Sequence, residues 1–329
     1  VPTISVIITA HKVADYLDRC LDSVLSQDCA GVEFIAVDDA SPDDCGAILA
    51  ARQDPRLRVI RTAAGAGAAA AVGPGGARAL GAAQASGEYL WFVDGDDELA
   101  GGALAAVAAQ LDRLHPDVLI IDYENIYADG TITASDANLA TPELTTIAAS
   151  PVLLNVTMSV WNKVLRRDFL AGLGVRFGPG RYEEVPVAAA ALLAAARVGV
   201  LNQVCYRYRR SRTGSFMGTI SDLQFDIFTS YQTIFDFMAT RPVSAAARAA
   251  LFTRAIKHYA WALPKVPRSR RREFFGAMTR DFRRWRPAEY DFPSGPRGTG
   301  LKLISRGSYR TYSALERLNQ VRVALRRGQ

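Results

Sequence analysis

The sequence has no run of about 18 apolar residues, the length a helix needs to cross a bilayer. Its Ala-rich stretches near 66–72 and 188–196 are too short and too weakly hydrophobic to serve. The opening Val1–Ala10 has no basic segment ahead of it and no small-residue cleavage site behind it, so a buried strand is expected rather than a signal peptide. Cysteine is scarce, and Cys20, Cys29, Cys45 and Cys205 lack metal-ligand spacing. Reduced thiols and a cytoplasmic location are therefore expected. No internal repeat occurs. Acidic residues thin out towards the end: from Lys265 onward 17 basic residues face 5 acidic ones, a charge of +12, which leaves −6 for residues 1–264. Such a tail implies an anionic partner. Nucleic acid is not expected, because no recognition motif accompanies the charge.

With 329 residues, 49% of them hydrophobic, the chain is long enough for a main domain and an appendage. Short apolar or β-branched runs at 4–9, 32–38, 57–61, 89–93 and 118–121 alternate with helical stretches, among them 77–85 and 103–114. In the first helix Leu17, Cys20, Leu21, Val24 and Leu25 form one apolar stripe. The alternation predicts a doubly wound α/β sheet, mostly parallel and flanked by helices. In such sheets ligands bind beyond the carboxyl ends of the strands, where this chain puts Thr9, Asp38–Asp39 and Asp94–Asp97. Ala63–Gly76, nearly all Ala and Gly, is expected to be a mobile loop beside that crevice. From about Ser221 the pattern turns helical, with Phe225, Phe228, Tyr231, Ile234 and Phe235 at helical spacing. A Pro/Gly-rich break at 287–300 precedes a last basic helix at about 308–327. The expected division is 1–218 and 219–329.

Asp94-Gly95-Asp96-Asp97 follows a buried strand, so its carboxylates emerge together and need a counter-charge. Mg²⁺ or Mn²⁺ would supply it and would also bind a substrate diphosphate. A solvated acidic turn capping the next helix is the plainer alternative. Asp38-Asp39-Ala40-Ser41-Pro42-Asp43 ends the second strand, fit either to accept a hydrogen bond from a base or ribose or simply to form a turn. Arg78, at a helix start, suits a diphosphate or the acidic cluster, though a lone Arg is more often a surface charge. The glycines before it are no dinucleotide fingerprint, for no strand directly precedes them. Glu183-Glu184 precede an Ala/Leu helix; one of them can act as a base towards an acceptor hydroxyl, or both can complement the helix dipole. Tyr206 to Arg212 alternates Tyr with Arg, as a phosphate-binding segment or a basic edge strand would.

In order, the blocks ISVIITAHKVADYLDRCLDSVLSQ, VEFIAVDDASPD, GGARALGAAQASGEYLWFVDGDDEL, VWNKVLRRDFL, RYEEVPV and YRYRRSRTGS resemble the family-two glycosyltransferases of the GT-A fold. The likeness is to the bacterial branch that builds teichoic acids, capsules and other cell-envelope polymers, and it covers roughly residues 3–218. It implies an inverting, metal-assisted glycosyltransferase using a nucleotide-sugar donor, UDP by expectation, and a hydroxyl of a polysaccharide, teichoic-acid-like or lipid-linked acceptor. It further implies that Thr9 and Ala10 border the nucleotide, Asp39 holds uracil and Arg78 helps bind the donor. Asp94, Asp96 and Asp97 would manage diphosphate and metal, with Asp96 and Asp94 as metal ligands. Glu184 would be the base, with Glu183 beside it, and Trp161, Lys163 and Arg209 would meet the acceptor. His11-Lys12, Ala79 and Glu184 replace the family's usual Tyr-Asn, Asn and Asp. A catalytically weakened domain serving as a polymer- or membrane-binding module is accordingly the alternative. The last segment loosely resembles the linker of actinobacterial proteins in which such a domain precedes a glycerophosphotransferase. Lys265–Arg286, with nine basic and two acidic residues among Val266, Phe274, Phe275, Met278, Phe282 and Trp285, suits a helix lying on an anionic membrane face. A packed helical subdomain with a solvated Arg face fits it equally.

Overall fold

β1 (Ile4–Ala10) and β2 (Val32–Asp38) are buried almost end to end, because the sheet they belong to is covered on both faces. The structure, a computed structural model, describes residues 4–62, 71–135, 141–210 and 219–327, with side chains as far as 319. The remaining strands are β3 (Leu57–Arg61), β4 (Tyr89–Asp94), β5 (Glu98–Leu99), β6 (Val118–Ile126), β7 (Ile132–Ala134), β8 (Leu144–Thr145), β9 (Lys163–Arg166) and β10 (Val198–Arg209). They run in the order β3-β2-β1-β4-β9-β6-β10-β5, with β7 beside β6 and β8 beside β10. The β1, β2, β3 and β4 neighbours are parallel, as are β6 and β10. β9, which no sequence pattern announced, enters antiparallel between β4 and β6.

α1 (Ala14–Leu25), α2 (Cys45–Ala51) and α4 (Ala103–Leu114) cover one face, where Leu17, Cys20, Leu49, Leu104 and Val107 join Ile4, Val6, Ile8 and Trp91 in one core. The opposite face of β1 and β2 meets α3 (Gly73–Gln84). This helix starts four residues before the expected 77, with Pro74 in its first turn. The expected loop at Ala63–Gly76 therefore ends sooner than the composition suggested, and residues 63–70 lie outside the described residues. α5 (Arg167–Gly172) and α6 (Val185–Ala194) complete the first of two compact units, Val1–Phe216; α6 is buried on nearly every side. Register puts Ala10 beside Asp38 and Thr9 beside Asp94, so the strand ends that carry the motifs lie at one level.

The second unit, Met217–Gln329, contains α7 (Asp226–Ala239), α8 (Ala245–Ala262), α9 (Arg271–Trp285), α10 (Gly295–Arg306) and α11 (Tyr309–Arg327). The supposed break at 287–300 is in part a helix start, with Gly295 in the left-handed region and Pro296 in the first turn. The apolar side of α9 is not available to a membrane. Phe274 packs on Phe225 and Phe228, Phe282 on Phe252, and Trp285 stacks on Phe235. What α9 leaves outside is a row of arginines, Arg272, Arg280, Arg283 and Arg284. The apolar stripe of this helix is thus taken up by packing within the second unit. No described helix is long and apolar enough to cross a membrane.

Gly81 sets how closely α3 approaches the sheet: a Cβ there would lie 2.3 Å from Ile7 Cγ2. Gly81→Ala is expected to lower stability by about 1–3 kcal/mol through overpacking, read as a lower urea midpoint; an unchanged midpoint would mean that α3 has slack against β1.

Candidate functional site

Arg78 joins three distant parts of the chain. The residue is 4% exposed, its guanidinium donating through Nη1 to Glu183 Oε1 and through Nη2 to Asp94 Oδ1 at 2.6 Å, with Glu184 Oε2 at 4.0 Å. A buried Arg needs carboxylate partners, and the end of β4 and the segment before α6 provide them. The surface-charge reading of Arg78 is excluded. Thr9 Oγ1 reaches Asp94 Oδ1 at 3.5 Å from the neighbouring strand.

The acidic turn caps no helix, since α4 begins later, after Gly102, and only Asp94 and Asp96 of its carboxylates are partly exposed. Asp97 is 1% exposed; Tyr206 donates its hydroxyl to Oδ2 at 2.8 Å, and the Arg209 N–H donates to Oδ1 at 2.7 Å. Tyr206 also accepts the Asp94 N–H at 3.1 Å. Gly95 brings the turn against β1, its N–H donating to Thr9 O at 2.9 Å, and a Cβ on it would sit 2.8 Å from that oxygen. Burial, then repulsion from Asp96 and Asp94, pushes the Asp97 carboxyl well above its usual range, against the pull of the Arg209 and Tyr206 hydrogen bonds. The cluster is thus short of positive charge.

Among the described residues no three His, Cys, Asp or Glu side chains converge on a point that could hold a metal. The donor set nevertheless suits Mg²⁺ or Mn²⁺, which are commonly held by one or two carboxylates with substrate phosphates completing the shell. Asp94 keeps 25% of its side chain exposed with only Oδ1 in described hydrogen bonds, and Asp96 is half-buried. Asp97, 1% exposed and held at both oxygens by β10, is poorly placed to be a ligand.

Asp38 is the turn former, taking the Ser41 N–H on Oδ1 and Arg61 on Oδ2. Asp39 instead ties β2 to α3. Thr62 Oγ1 and the Val72 N–H donate to its Oδ1 at 3.0 and 2.8 Å, and the Gly73 N–H to Oδ2 at 2.8 Å. One acceptor position remains on Oδ2. Ala10 is buried beside it and accepts the Asp39 N–H at 2.9 Å, while His11 Nδ1 lies 2.7 Å from Asp39 O.

Glu184 stands at the α6 N-cap position without capping it. Its Oε2 accepts the Val160 N–H at 3.0 Å, and Ser159 bonds it as well. The loop supplying that N–H is built around Lys163, 0% exposed, whose Nζ donates to Thr157 O at 2.7 Å and to Ser159 O and Asn162 Oδ1 at 2.8 Å. Trp161 is 3% exposed, stacked on Tyr206 and Tyr208 with centroids 4.6 and 5.1 Å apart. Arg209 is likewise engaged: Nε donates to Asp96 O at 2.8 Å, Nη2 pairs with Glu98, and the guanidinium lies over the Tyr16 ring. All three were expected at the acceptor; burial and internal bonds take up the polar groups of Lys163 and Arg209, and Trp161 is buried in the aromatic stack. The described part of the Tyr/Arg segment is no edge strand, since Tyr206 and Arg207 pair with β6 on one side and β5 on the other, while 211–212 lie outside the described residues.

Tyr206 was read only as part of the Tyr/Arg alternation, and its role in holding the acidic turn was not foreseen, although alternation with Arg207 and Arg209 marks it as facing inward. Also unforeseen was backbone strain: of four described non-glycine residues at positive φ, Lys12, Ala40 and Tyr182 each adjoin one of these motifs. Ala79 is exposed on α3, so the family's usual Asn is missing from the surface and not from the buried network.

Burial pushes the Glu183 carboxyl up to about 7 from an ordinary 4.5, with Arg78 pulling down and Glu184 pushing up. Glu184 is also raised, by burial first. A raised carboxyl contributes stability that is complete below its unfolded value and lost as pH rises through the folded one. The ligand-free protein should therefore lose stability between pH 4.5 and about 7, and Glu183→Gln should flatten that slope. Urea unfolding across this range checks it; an identical slope in the variant contradicts it.

Residues 5–171 match glycosyl transferase family 2. Glycosyltransferase GlyG of Streptococcus pneumoniae is 30% identical over 233 residues, 67% of this chain and 74% of that protein. EpsJ of Bacillus subtilis, an uncharacterized glycosyltransferase, is 28% identical over 64% of this chain, and the match spans 62% of its length. The poly(ribitol-phosphate) beta-N-acetylglucosaminyltransferase TarS of Staphylococcus aureus is 30% identical over 65% of this chain and 37% of its own. The crystal structure of TarS residues 1–349 with UDP-GlcNAc superposes with a TM-score of 0.75 at 22% identity, covering 99% of this chain and 92% of that one, so the two share the GT-A fold. The chain belongs to glycosyl transferase family 2.

Proposed function

We propose that residues 1–218 form an inverting glycosyltransferase domain that moves a sugar from a UDP donor to a hydroxyl of a cell-envelope polymer or lipid-linked acceptor. The observation that carries this reading is the Arg78 junction, which holds Asp94 of the acidic turn within the same buried network as Glu183 and Glu184. A relative named for N-acetylglucosaminyl transfer to poly(ribitol-phosphate) and a fold shared with a UDP-GlcNAc complex support the donor and the acceptor class.

In this reading Asp39 offers its remaining Oδ2 acceptor position to the uracil N–H, and Thr9 and Ala10 border the nucleotide. Arg78 fixes Asp94 and adds positive charge beside the diphosphate. Asp96 and Asp94 would hold Mg²⁺ or Mn²⁺, which when bound stabilises the negative charge of the departing diphosphate. Glu184 takes the proton from the acceptor hydroxyl. The freed oxygen attacks the anomeric carbon, and the bond from that carbon to the diphosphate breaks with its electron pair leaving on the nucleotide. Asp97, Tyr206 and Arg209 shape the acidic turn, while Lys163 and Trp161 position Glu184 through the Val160 N–H. Burial raises the carboxyls of both Glu183 and Glu184, which suits a general base. Residues 219–329 form the helical, basic part, whose arginine face would meet an anionic membrane or polymer by charge alone.

Glu184→Gln should lower kcat by about 100- to 10,000-fold while leaving UDP affinity near wild type, and Asp96→Ala should remove metal-dependent UDP binding. Release of UDP from UDP-sugars, with and without an acceptor polymer, reads both. Full turnover by Glu184→Gln would exclude it as the base; failure of the wild type to turn over any nucleotide sugar would favour a binding module instead.

A further inference from the structure

A cavity of about 330 Å³ opens in the second unit among residues of α8, α10 and α11, and the proposed transfer chemistry makes no use of it. Lys257 and Arg297 both line it. Neither makes an ion pair or a hydrogen bond among the described residues. Two exposed cations without partners are ordinary on a surface; two that share one concave wall are not, because each raises the cost of the other's charge. Burial, with Arg297 and Arg254 adding repulsion, pushes Lys257 below its ordinary range. The remaining lining is suited to hydroxyl recognition over an apolar floor: Tyr290 and Asn319 beside Ile256 and Ile304. Glu316 is the one carboxylate in the lining, and no described ion pair joins it to either cation.

The first turn of α10 adds a second attraction. Pro296 and Arg297, both in that first turn, belong to the cavity wall; Pro296 has no N–H, so Arg297 supplies the wall's backbone donor, and Ser294 at the N-cap makes no side-chain capping bond. The first N–H groups of a helix need acceptors, and an anion beside them is favoured by the helix dipole.

We propose that this cavity binds the phosphate group of a phosphorylated polyol or small sugar, with Lys257 and Arg297 on the phosphate and Tyr290 and Asn319 on the hydroxyls. The site rests on residues of the second unit alone and stands whether or not the donor reading holds. Glycerol 3-phosphate, inorganic phosphate and glycerol are titrated calorimetrically into the full chain and its Lys257→Gln and Arg297→Gln variants, with thermal unfolding by circular dichroism to confirm the fold. The expected result is binding of glycerol 3-phosphate but not glycerol, weakened about tenfold by either substitution, unchanged in Asp96→Ala, with unfolding temperatures near wild type. Equal affinity in the folded variants, loss of binding in Asp96→Ala, or no binding of either phosphate compound at millimolar concentration would overturn it. So would binding only to phosphatidylglycerol vesicles, which would assign the charge to a membrane-facing surface.

Discussion

One buried arginine among three carboxylates governs this site. Arg78 cannot lie at 4% exposure without charged partners, and the partners come from segments about 16 and 105 residues away in the chain. Satisfying it forces α3, the end of β4 and the start of α6 to one place. With Asp94, Glu183 and Glu184 all ionised the junction would be net negative, which is why burial and mutual repulsion hold the Glu183 carboxyl near neutrality. A site built this way is primed both for a proton and for a further cation.

Around that junction the chain divides its labour. Asp97, Tyr206 and Arg209 bind β10 to the acidic turn and fix where Asp94 and Asp96 point. Lys163 holds the loop that presents the Val160 N–H to Glu184. Asp39 staples the end of β2 to the start of α3, and so sets the helix that carries Arg78. Each of these contacts ties a segment at the end of a strand to a part of the chain distant in sequence, and strand ends are where an open α/β sheet places its ligand crevice.

β1, β2 and β4 were legible because they are buried on both faces and read as apolar or β-branched runs, Ile4–Thr9 and Tyr89–Val93 among them. The acidic turn and the Glu pair were legible as carboxylates, and their order along the chain carried the family resemblance. The antiparallel β9 was not, since four residues headed by a lysine give no periodicity. Nor was the burial of Lys163, Trp161 and Arg209: a cation or aromatic in a motif looks available until its hydrogen bonds are known. The tail misled for a related reason. The stripe of Phe274, Phe275, Met278 and Phe282 on α9 has the same spacing whether it faces lipid or other helices, and only the partners on α7 and α8 decide.

The most direct test of the central claim is calorimetric titration of UDP into the wild type and Arg78→Met, each with and without Mn²⁺. The account predicts UDP binding by the wild type that strengthens with Mn²⁺ and is lost or greatly weakened in a still-folded Arg78→Met. Unaltered binding in the variant, or no nucleotide binding by the wild type under either condition, would contradict it.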